Sequence, residues 1–377
     1  MKIKNLNNLS QESLNQKLLE FLDSLLKTNK EFHYFPVKEG YTNEGEQLTL
    51  GFSCFALKIY FTINEWDSLG DDVKGRWGNF INSFQTKDNV YLPSNSYIDQ
   101  DYLKHFNRTI IKSSHKEAIK RVLNLHPRYN FELKRNQFES FIRAETKQAI
   151  ATLKQVNLEQ KAIYSDFPQT KDSIFQYLDT FNWQKPWSAG AQFSGLCVFS
   201  KTQLEKNSEA VKSLESYIDS KVNISDGFYY EHKTPNLTEL VNGTMKVLTG
   251  IDWLDMPIHY PEKIIDTCLE NQPTDEGCDL VDYVYVLYRC SLETNYKKKE
   301  VVSYLENFLN IIFKHYFQNS GGFSYSINES QKLYYGVTIS KGKSEADIHG
   351  TVLLTWAISM ILEITENSDY NWNVLKP

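Results

Sequence analysis

Two carboxylates and a histidine stand in front of a long apolar stretch near the end of the chain. They belong to the segment SEADIHGTVLLTWAISMI, which begins at Ser344. A histidine beside carboxylates can transfer protons near neutral pH. We therefore predict that His349 is a catalytic acid or base, with Asp347 and Glu345 as orienting or catalytic carboxylates. The structural alternative is that Asp347 caps a helix and His349 forms a hydrogen bond within the fold.

A tyrosine pair and two lysines follow one another in the segment SINESQKLYYGVTISKGK, which begins at Ser326. Tyrosine stacks on sugar rings and exchanges protons, and lysine holds a carboxylate or a phosphate. We predict that Tyr335 is a second proton donor and that Tyr334, Lys341 and Lys343 bind substrate. The alternative is an ordinary surface loop.

Polar and aromatic residues near other predicted helix starts complete the candidate site. Each is of a type that contacts a sugar ring or a charged group, although packing is the alternative in every case. These further substrate-binding candidates are Asn242, Tyr230, His232, Trp187 and Asp282.

The elements that carry these side chains follow helical periodicity. Six segments are apolar on nearly all sides, as in enclosed helices: 48–61, 145–156, 189–200, 237–251, 278–290 and 345–361. Five have a single apolar face: those near 10–27, 64–84, 112–125, 203–220 and 297–317. Their alternation predicts an all-α fold, an (α/α)6 toroid of helical hairpins in one domain over 1–377. The pattern is clearest over 183–362 and weakest over 1–130.

An internal repeat supports the ring. DGF precedes NGTMKVLTGI, and GGF precedes HGTVLLTWAI. Gly243 follows Gly227 by 16 residues and Gly350 follows Gly322 by 28, so the second unit carries 12 additional residues in the tyrosine-rich segment. Insertions on one rim of a repeat array are often functional loops. We expect this one to lie over the mouth of the ring.

These motifs resemble the α/α-toroid superfamily, which includes protein prenyltransferase β-subunits, terpenoid cyclases and several polysaccharide lyases and hydrolases. GGF with GKSEADIHGTVLLTWAIS is similar to the prenyltransferase pattern GGF…GKSxDxYHTxYxLSGLS, and LVDYVYVLY at 280–288 is similar to LVDGCYSFW. In that family an Asp, a Cys and a His of these motifs hold zinc. The resemblance assigns Asp282 and His349 to two of those positions, but Val284 occupies the cysteine position. Cys278, one turn before Asp282, is the alternative ligand. We predict no cofactor, with zinc at Cys278, Asp282 and His349 as the alternative.

The terpenoid cyclase motif DxDD is missing from the sequence. The segments WQKPWSAGAQFSGLCVF, NGTMKVLTGIDWL, EGCDLVDYVYVLY and YYGVTISKGKSEADIHGTVLLTWA most resemble bacterial members of the superfamily without an assigned activity. Such proteins are associated with surface-polysaccharide gene neighbourhoods. The resemblance thus implies a glycan-related role and assigns no catalytic residue.

Composition narrows the partners and the compartment. The net charge is −6 without a basic block, so no nucleic-acid partner is expected. Five cysteines are scattered without a CxxC pair, which favours reduced thiols and a cytoplasmic location. The N-terminus lacks the apolar stretch of a signal peptide, and the apolar run at 351–364 is short for a membrane span. We expect no membrane insertion, and the sequence leaves the oligomeric state open.

The sequence leads to one prediction of function and two alternatives. We predict a carbohydrate-active enzyme of surface-polysaccharide metabolism, of the lyase, epimerase or hydrolase type, acting on a carbohydrate or glycan precursor. The first alternative is an isoprenoid-handling enzyme similar to prenyltransferases or terpene cyclases, which predicts bound zinc or a largely aromatic, dry cavity. The second is a non-catalytic scaffold in a polysaccharide-assembly complex, which predicts a shallow mouth without converging ionisable groups.

Overall fold

The chain is mostly helical. A computed structural model describes residues 10–87, 92–112, 114–126, 133–205, 208–367 and 369–377. The chain is 58% helix with few strands, which confirms the all-α class. The elements in these ranges are α1 (Gln11–Leu25), α2 (Asn43–Gln47), α3 (Leu50–Thr62), α4 (Asp71–Asn82), α5 (Gln100–Lys112), α6 (Ser114–Leu123), α7 (Lys134–Gln155), α8 (Lys171–Leu178), α9 (Pro186–Gln203), α10 (Glu209–Asp219), α11 (Leu237–Leu254), α12 (Pro261–Leu269), α13 (Gly277–Glu293), α14 (Lys298–Ile312), β1 (Leu333–Tyr334), β2 (Val337–Thr338) and α15 (Ile348–Ile364).

All six segments predicted to be enclosed helices are helical, as α3, α7, α9, α11, α13 and α15. The five predicted one-faced helices correspond to α1, α4, α6, α10 and α14. Helices α2, α5, α8 and α12 were not predicted. Three of these are short, with 5 residues in α2, 8 in α8 and 9 in α12, so they offer few turns in which a period can repeat. Local signals start α8 and α12: a Thr170–Ser173 capping box begins α8, and Pro261 begins α12.

The six enclosed helices contact one another in a closed order. Helix α3 packs on α7, α7 on α9, α9 on α11, α11 on α13, α13 on α15, and α15 on α3. Five other helices pack on members of this circle: α4 on α3, α8 and α10 on α9, α12 on α13, and α14 on α13 and α15. Their buried apolar side chains form one cluster, with members from Leu14 to Leu375.

The closest of these pairs, α9 and α11, depends on glycine. A Cβ on Gly190 would stand 2.9 Å from the carbonyl oxygen of Gly243. A Cβ on Gly243 would stand 2.6 Å from Cβ of Pro186. Since real side chains do not approach this closely, only glycine lets the two backbones meet here.

The last residues of the chain lie across the C-terminal ends of three enclosed helices. The Asn373 amide donates to the carbonyl of Thr62 (2.8 Å), at the end of α3. The Lys376 amide donates to Oε1 of Gln155 (2.7 Å), at the end of α7. The indole of Trp253 in α11 donates to the carbonyl of Pro377 (2.6 Å). This segment therefore covers one end of the helical assembly.

The tyrosine-rich insertion forms a small hairpin at the opposite ends of these helices. Strands β1 and β2 pair antiparallel, with Tyr334 opposite Val337. Tyr335 and Gly336 make the turn, both with positive φ, 45° and 81°. Within the described ranges, no helix has both the length and the apolar character needed to cross a bilayer.

Candidate functional site

The enclosed helices surround a cavity of about 720 Å³. Its walls come from α3, α5, α7, α9, α11 and α15, together with the hairpin turn and the C-terminal segment. A volume of this size is typical of sites that bind small molecules.

Three lysines from three helices reach into this cavity: Lys58 of α3, Lys147 of α7 and Lys246 of α11. The Lys147 ammonium donates to Oγ of Ser194 (2.8 Å), which in turn shares a hydrogen bond with Thr249 (2.6 Å). In the part of the chain that the structure describes, no carboxylate oxygen lies within 4.0 Å of any of the three ammonium groups. We call these residues the lysine cluster.

Burial and mutual repulsion act on the lysine cluster. Burial, together with the charges of Lys246 and Lys58, lowers the pKa of Lys147 to about 7. Burial also lowers the pKa of Lys58. Cations enclosed by protein without a counter-charge are costly, and a bound anion would remove that cost. The cluster is therefore suited to an anionic ligand.

Most of the remaining lining is apolar. The apolar wall comprises Leu196, Phe199, Val352, Leu353, Trp356 and Leu375. Neither Asp nor Glu is found among the described residues that line the cavity. The cavity thus joins a cationic cluster to an apolar wall, which suits a ligand with an anionic group and an apolar portion.

His349 lines the cavity and is held between two rings. It stacks on Phe55 (ring centroids 4.7 Å apart) and on Tyr325 (5.6 Å). Its Nδ1 atom has no hydrogen-bond partner. Burial lowers the pKa of His349 to about 3, and the charges of Lys246 and Lys58 contribute. The imidazole is therefore neutral near pH 7, and an anion bound at the lysine cluster would raise its pKa and its strength as a base.

Two partly exposed aromatic residues of the predicted site also line the cavity. Tyr335 is 47% exposed and lies edge-on to Phe141 (5.0 Å between ring centroids). Its carbonyl accepts a hydrogen bond from the Tyr102 hydroxyl (3.1 Å). Trp187, at the start of α9, is 50% exposed. Their exposure shows that the cavity opens to solvent beside them.

The two predicted carboxylates near His349 accept hydrogen bonds from backbone amides. The Asp347 carboxylate accepts from the amides of Gly350 (2.6 Å), Tyr325 (2.7 Å) and Gln331 (3.1 Å), and so caps α15. The Glu345 carboxylate accepts from the amides of residues 39 (2.9 Å) and 40 (2.8 Å). Neither residue lines the cavity. Their contacts are those of the structural alternative.

The remaining members of the predicted insertion site lie outside the cavity. Tyr334 is buried, and its hydroxyl donates to Glu145. Lys341 and Lys343 are exposed. Their main chains hold the loop, since the Lys341 amide donates to the carbonyl of Gly40 (2.7 Å) and the Lys343 carbonyl accepts from the amide of Ser330 (2.9 Å).

Asn242, Tyr230 and His232 are not among the residues that line the cavity. The Asn242 amide group, in the orientation that satisfies its neighbours, donates to Oδ1 of Asp279 (3.1 Å). The Tyr230 hydroxyl donates to Oδ2 of Asp226 (2.8 Å). His232 is exposed, with φ of 63°.

Asp282 lies behind the cavity wall, close enough to interact electrostatically with Lys246. Burial raises the pKa of this carboxyl to about 7, and the charge of Lys246 partly offsets the effect. Burial also raises the pKa of the Cys278 thiol, to about 11. Among the described residues, no three His, Cys, Asp or Glu side chains are placed together to hold a metal ion.

The lysine cluster was not predicted, although the sequence holds a signal for it. Lys58 interrupts the apolar run FSCFALKIYF, and Lys246 interrupts NGTMKVLTGI. An ammonium inside an otherwise apolar helix is rarely enclosed without a function or a partner. Isolated lysines on separate enclosed helices therefore indicate a candidate functional site.

Comparisons with protein families, with curated proteins and with solved structures found no match to this chain. The likeness of its motifs to the α/α-toroid superfamily therefore stays a prediction.

Proposed function

We propose that the enclosed and outer helices form an (α/α)6 toroid. The closed order of contacts from α3 through α15 and back to α3 supports this architecture. The cavity lined by members of that circle supports it as well. A cytoplasmic location stays a prediction, for which the five unpaired cysteines are the support.

We propose that the protein is an enzyme acting on an anionic substrate with an apolar portion, such as an isoprenoid phosphate or diphosphate. The observation that carries this proposal is the lysine cluster, which faces an apolar wall and, among the described residues, has no carboxylate oxygen within 4.0 Å. The proposal belongs to the isoprenoid-handling class, the first alternative from the sequence. Leu196, Phe199, Val352 and Trp356 would stabilise an isoprenoid chain by apolar contact.

Each part of the site has a role in this proposal. The ammonium groups of Lys58, Lys147 and Lys246 hold the phosphate oxygens. The anion raises the pKa of His349, which then takes a proton from the substrate. Tyr335, whose side chain is buried on one side and exposed on the other, donates a proton or positions the chain at the opening.

A carbohydrate lyase or epimerase is the second candidate. Trp187 and Tyr335 at the opening favour it, because aromatic rings stack on sugars. The lysine cluster would neutralise a uronate, and His349 would remove the neighbouring proton. The hydrolase form has less support, since glycoside hydrolysis ordinarily uses two carboxyl groups and the described lining contains none.

Converging ionisable groups in an enclosed cavity argue against the non-catalytic scaffold.

Calorimetric titration of the full chain tests the choice between these candidates. The probes are inorganic diphosphate, a C15 isoprenyl diphosphate and a uronate oligosaccharide. We expect the isoprenyl diphosphate to bind more tightly than inorganic diphosphate, because the apolar wall adds to the lysine contacts. We expect Lys147→Met to weaken both by about tenfold or more. The matched control is Lys341→Met, which removes an exposed lysine outside the cavity.

Two results would redirect the proposal. Equal affinity for the two diphosphates would show that the apolar wall does not contribute to binding, and the proposed substrate would then lack an apolar portion. Binding of the uronate oligosaccharide alone, lost in Lys147→Met, would establish the lyase or epimerase candidate instead.

A further inference from the structure

The apolar side of α6 points to solvent. Ile119 is 59% exposed, Val122 66% and Leu125 85%. Their spacing of three residues puts them along one side of the helix and its end. Ile111 near the end of α5 is 75% exposed as well. Helices of soluble proteins normally turn such a side towards the core, so this surface, which we call the α6 stripe, lacks a partner within the described chain.

Basic residues surround the α6 stripe. Residues 104–126 contain six lysines and arginines against one glutamate, in a chain whose net charge is −6. Lys116 and Arg121 are exposed. The one glutamate, Glu117, turns inward, accepts from the amide of Lys134 (3.0 Å) and pairs with Lys120 (3.3 Å). The outer surface of the helix is therefore both apolar and cationic.

Helix α5, which precedes α6 in the chain, lines the cavity through Tyr102, His105, Phe106 and Thr109. The two consecutive helices therefore have one surface on the cavity and another in solvent.

We propose that the α6 stripe is a membrane-docking surface that lies on a bilayer containing anionic phospholipids. Apolar side chains flanked by lysine and arginine on one helix are suited to the boundary between acyl chains and anionic headgroups. A protein groove would need acidic side chains placed opposite Lys116 and Arg121, whereas headgroups supply that charge anywhere on their surface. Docking rests on the α6 stripe alone; the delivery of an apolar substrate to the cavity rests in addition on the proposed function.

Co-sedimentation of the full chain with vesicles tests the proposal. We expect binding to vesicles of phosphatidylglycerol and phosphatidylcholine, little binding to pure phosphatidylcholine, and release by salt. The triple substitution Ile119→Ser, Val122→Ser and Leu125→Ser should weaken binding by about tenfold or more. The matched control is Ile163→Ser, Ile224→Ser and Leu292→Ser, at apolar residues 63%, 68% and 50% exposed elsewhere on the molecule. Circular dichroism checks that both triple variants are folded.

The outcomes separate docking from the proposed function. Lys147→Met should bind vesicles as wild type does, whatever it does to diphosphate binding. Wild-type protein that stays in the supernatant, or a stripe variant that binds as well as the control variant, overturns the proposal. A wild-type dimer that the stripe substitutions convert to a monomer, measured by light scattering, would also overturn it and identify the surface as a self-association face.

Discussion

The phenol of Tyr334 donates a hydrogen bond to Oε1 of Glu145, although the two residues lie 189 positions apart in the chain. Both are buried, and Oε2 of Glu145 has no partner. Burial raises the pKa of Glu145 to about 8, so the carboxyl is mostly protonated near neutral pH. This contact joins the hairpin to α7 and leaves the next residue, Tyr335, at the cavity.

Glu145→Gln should change the pH dependence of stability. The folded-state pKa lies above the ordinary value of 4.5, so the stability contributed by the protonated carboxyl is fully present below pH 4.5. It is lost as the pH rises towards about 8. We therefore expect wild type to lose more free energy of unfolding between pH 5 and about pH 9 than the variant does. Urea unfolding at both pH values measures this, with Glu12→Gln at an exposed site as control. Parallel losses in wild type and variant would show that Glu145 is ionised in the fold.

Lys147→Met should stabilise the free protein while it weakens diphosphate binding. The pKa of Lys147 is lowered from 10.5 to about 7, so its enclosed charge costs free energy below pH 7, and that cost disappears as the pH rises to 10.5. We expect the variant to gain about 1–3 kcal/mol at pH 7 and little at pH 10. Thermal unfolding at the two pH values, with Lys341→Met for comparison, provides the measurement. A destabilised variant at pH 7 would mean that the ammonium is satisfied within the fold.

His349→Phe should separate the stacking of the imidazole from its proton chemistry. Phenylalanine can keep the contacts with Phe55 and Tyr325. The pKa of His349 is lowered from 6.5 to about 3, so wild type loses stability as the pH falls through this interval, and the variant lacks that loss. We expect the variant to gain stability over wild type on going from pH 7 to about pH 4, measured by urea unfolding. An unchanged difference would show that the ring is hydrated and titrates normally.

Asp347→Ala should destabilise the fold more than the loss of an ordinary helix cap. Three backbone amides lose their acceptor in this variant, and such donors are costly when buried. We expect a loss of about 2–4 kcal/mol. Asn236→Ala is the matched cap variant, because Asn236 accepts from one amide at the start of α11, and it should lose about 1 kcal/mol. Equal losses in the two variants, by urea unfolding, would contradict the threefold role of Asp347.

Helix positions were predictable because helical signals are local. Apolar spacing identified all six enclosed helices. The capping alternative for Asp347 was also readable from position. The site was less predictable. Of the predicted site residues, His349, Tyr335 and Trp187 line the cavity, and Lys58, Lys147 and Lys246 were missed.

Two adjacent tyrosines show that local sequence does not determine which side chains line the cavity. Tyr334 and Tyr335 have the same side chain and neighbouring positions, yet one is buried against Glu145 and the other lines the cavity. The difference follows from the hairpin turn and from α7, which is far away in the chain. The amino-acid order therefore specified the helices, since each needs only its own turns and caps. The tertiary packing alone decided which lysines converge and which tyrosine is exposed, because electrostatic and packing energies depend on distances between segments that the linear order does not contain.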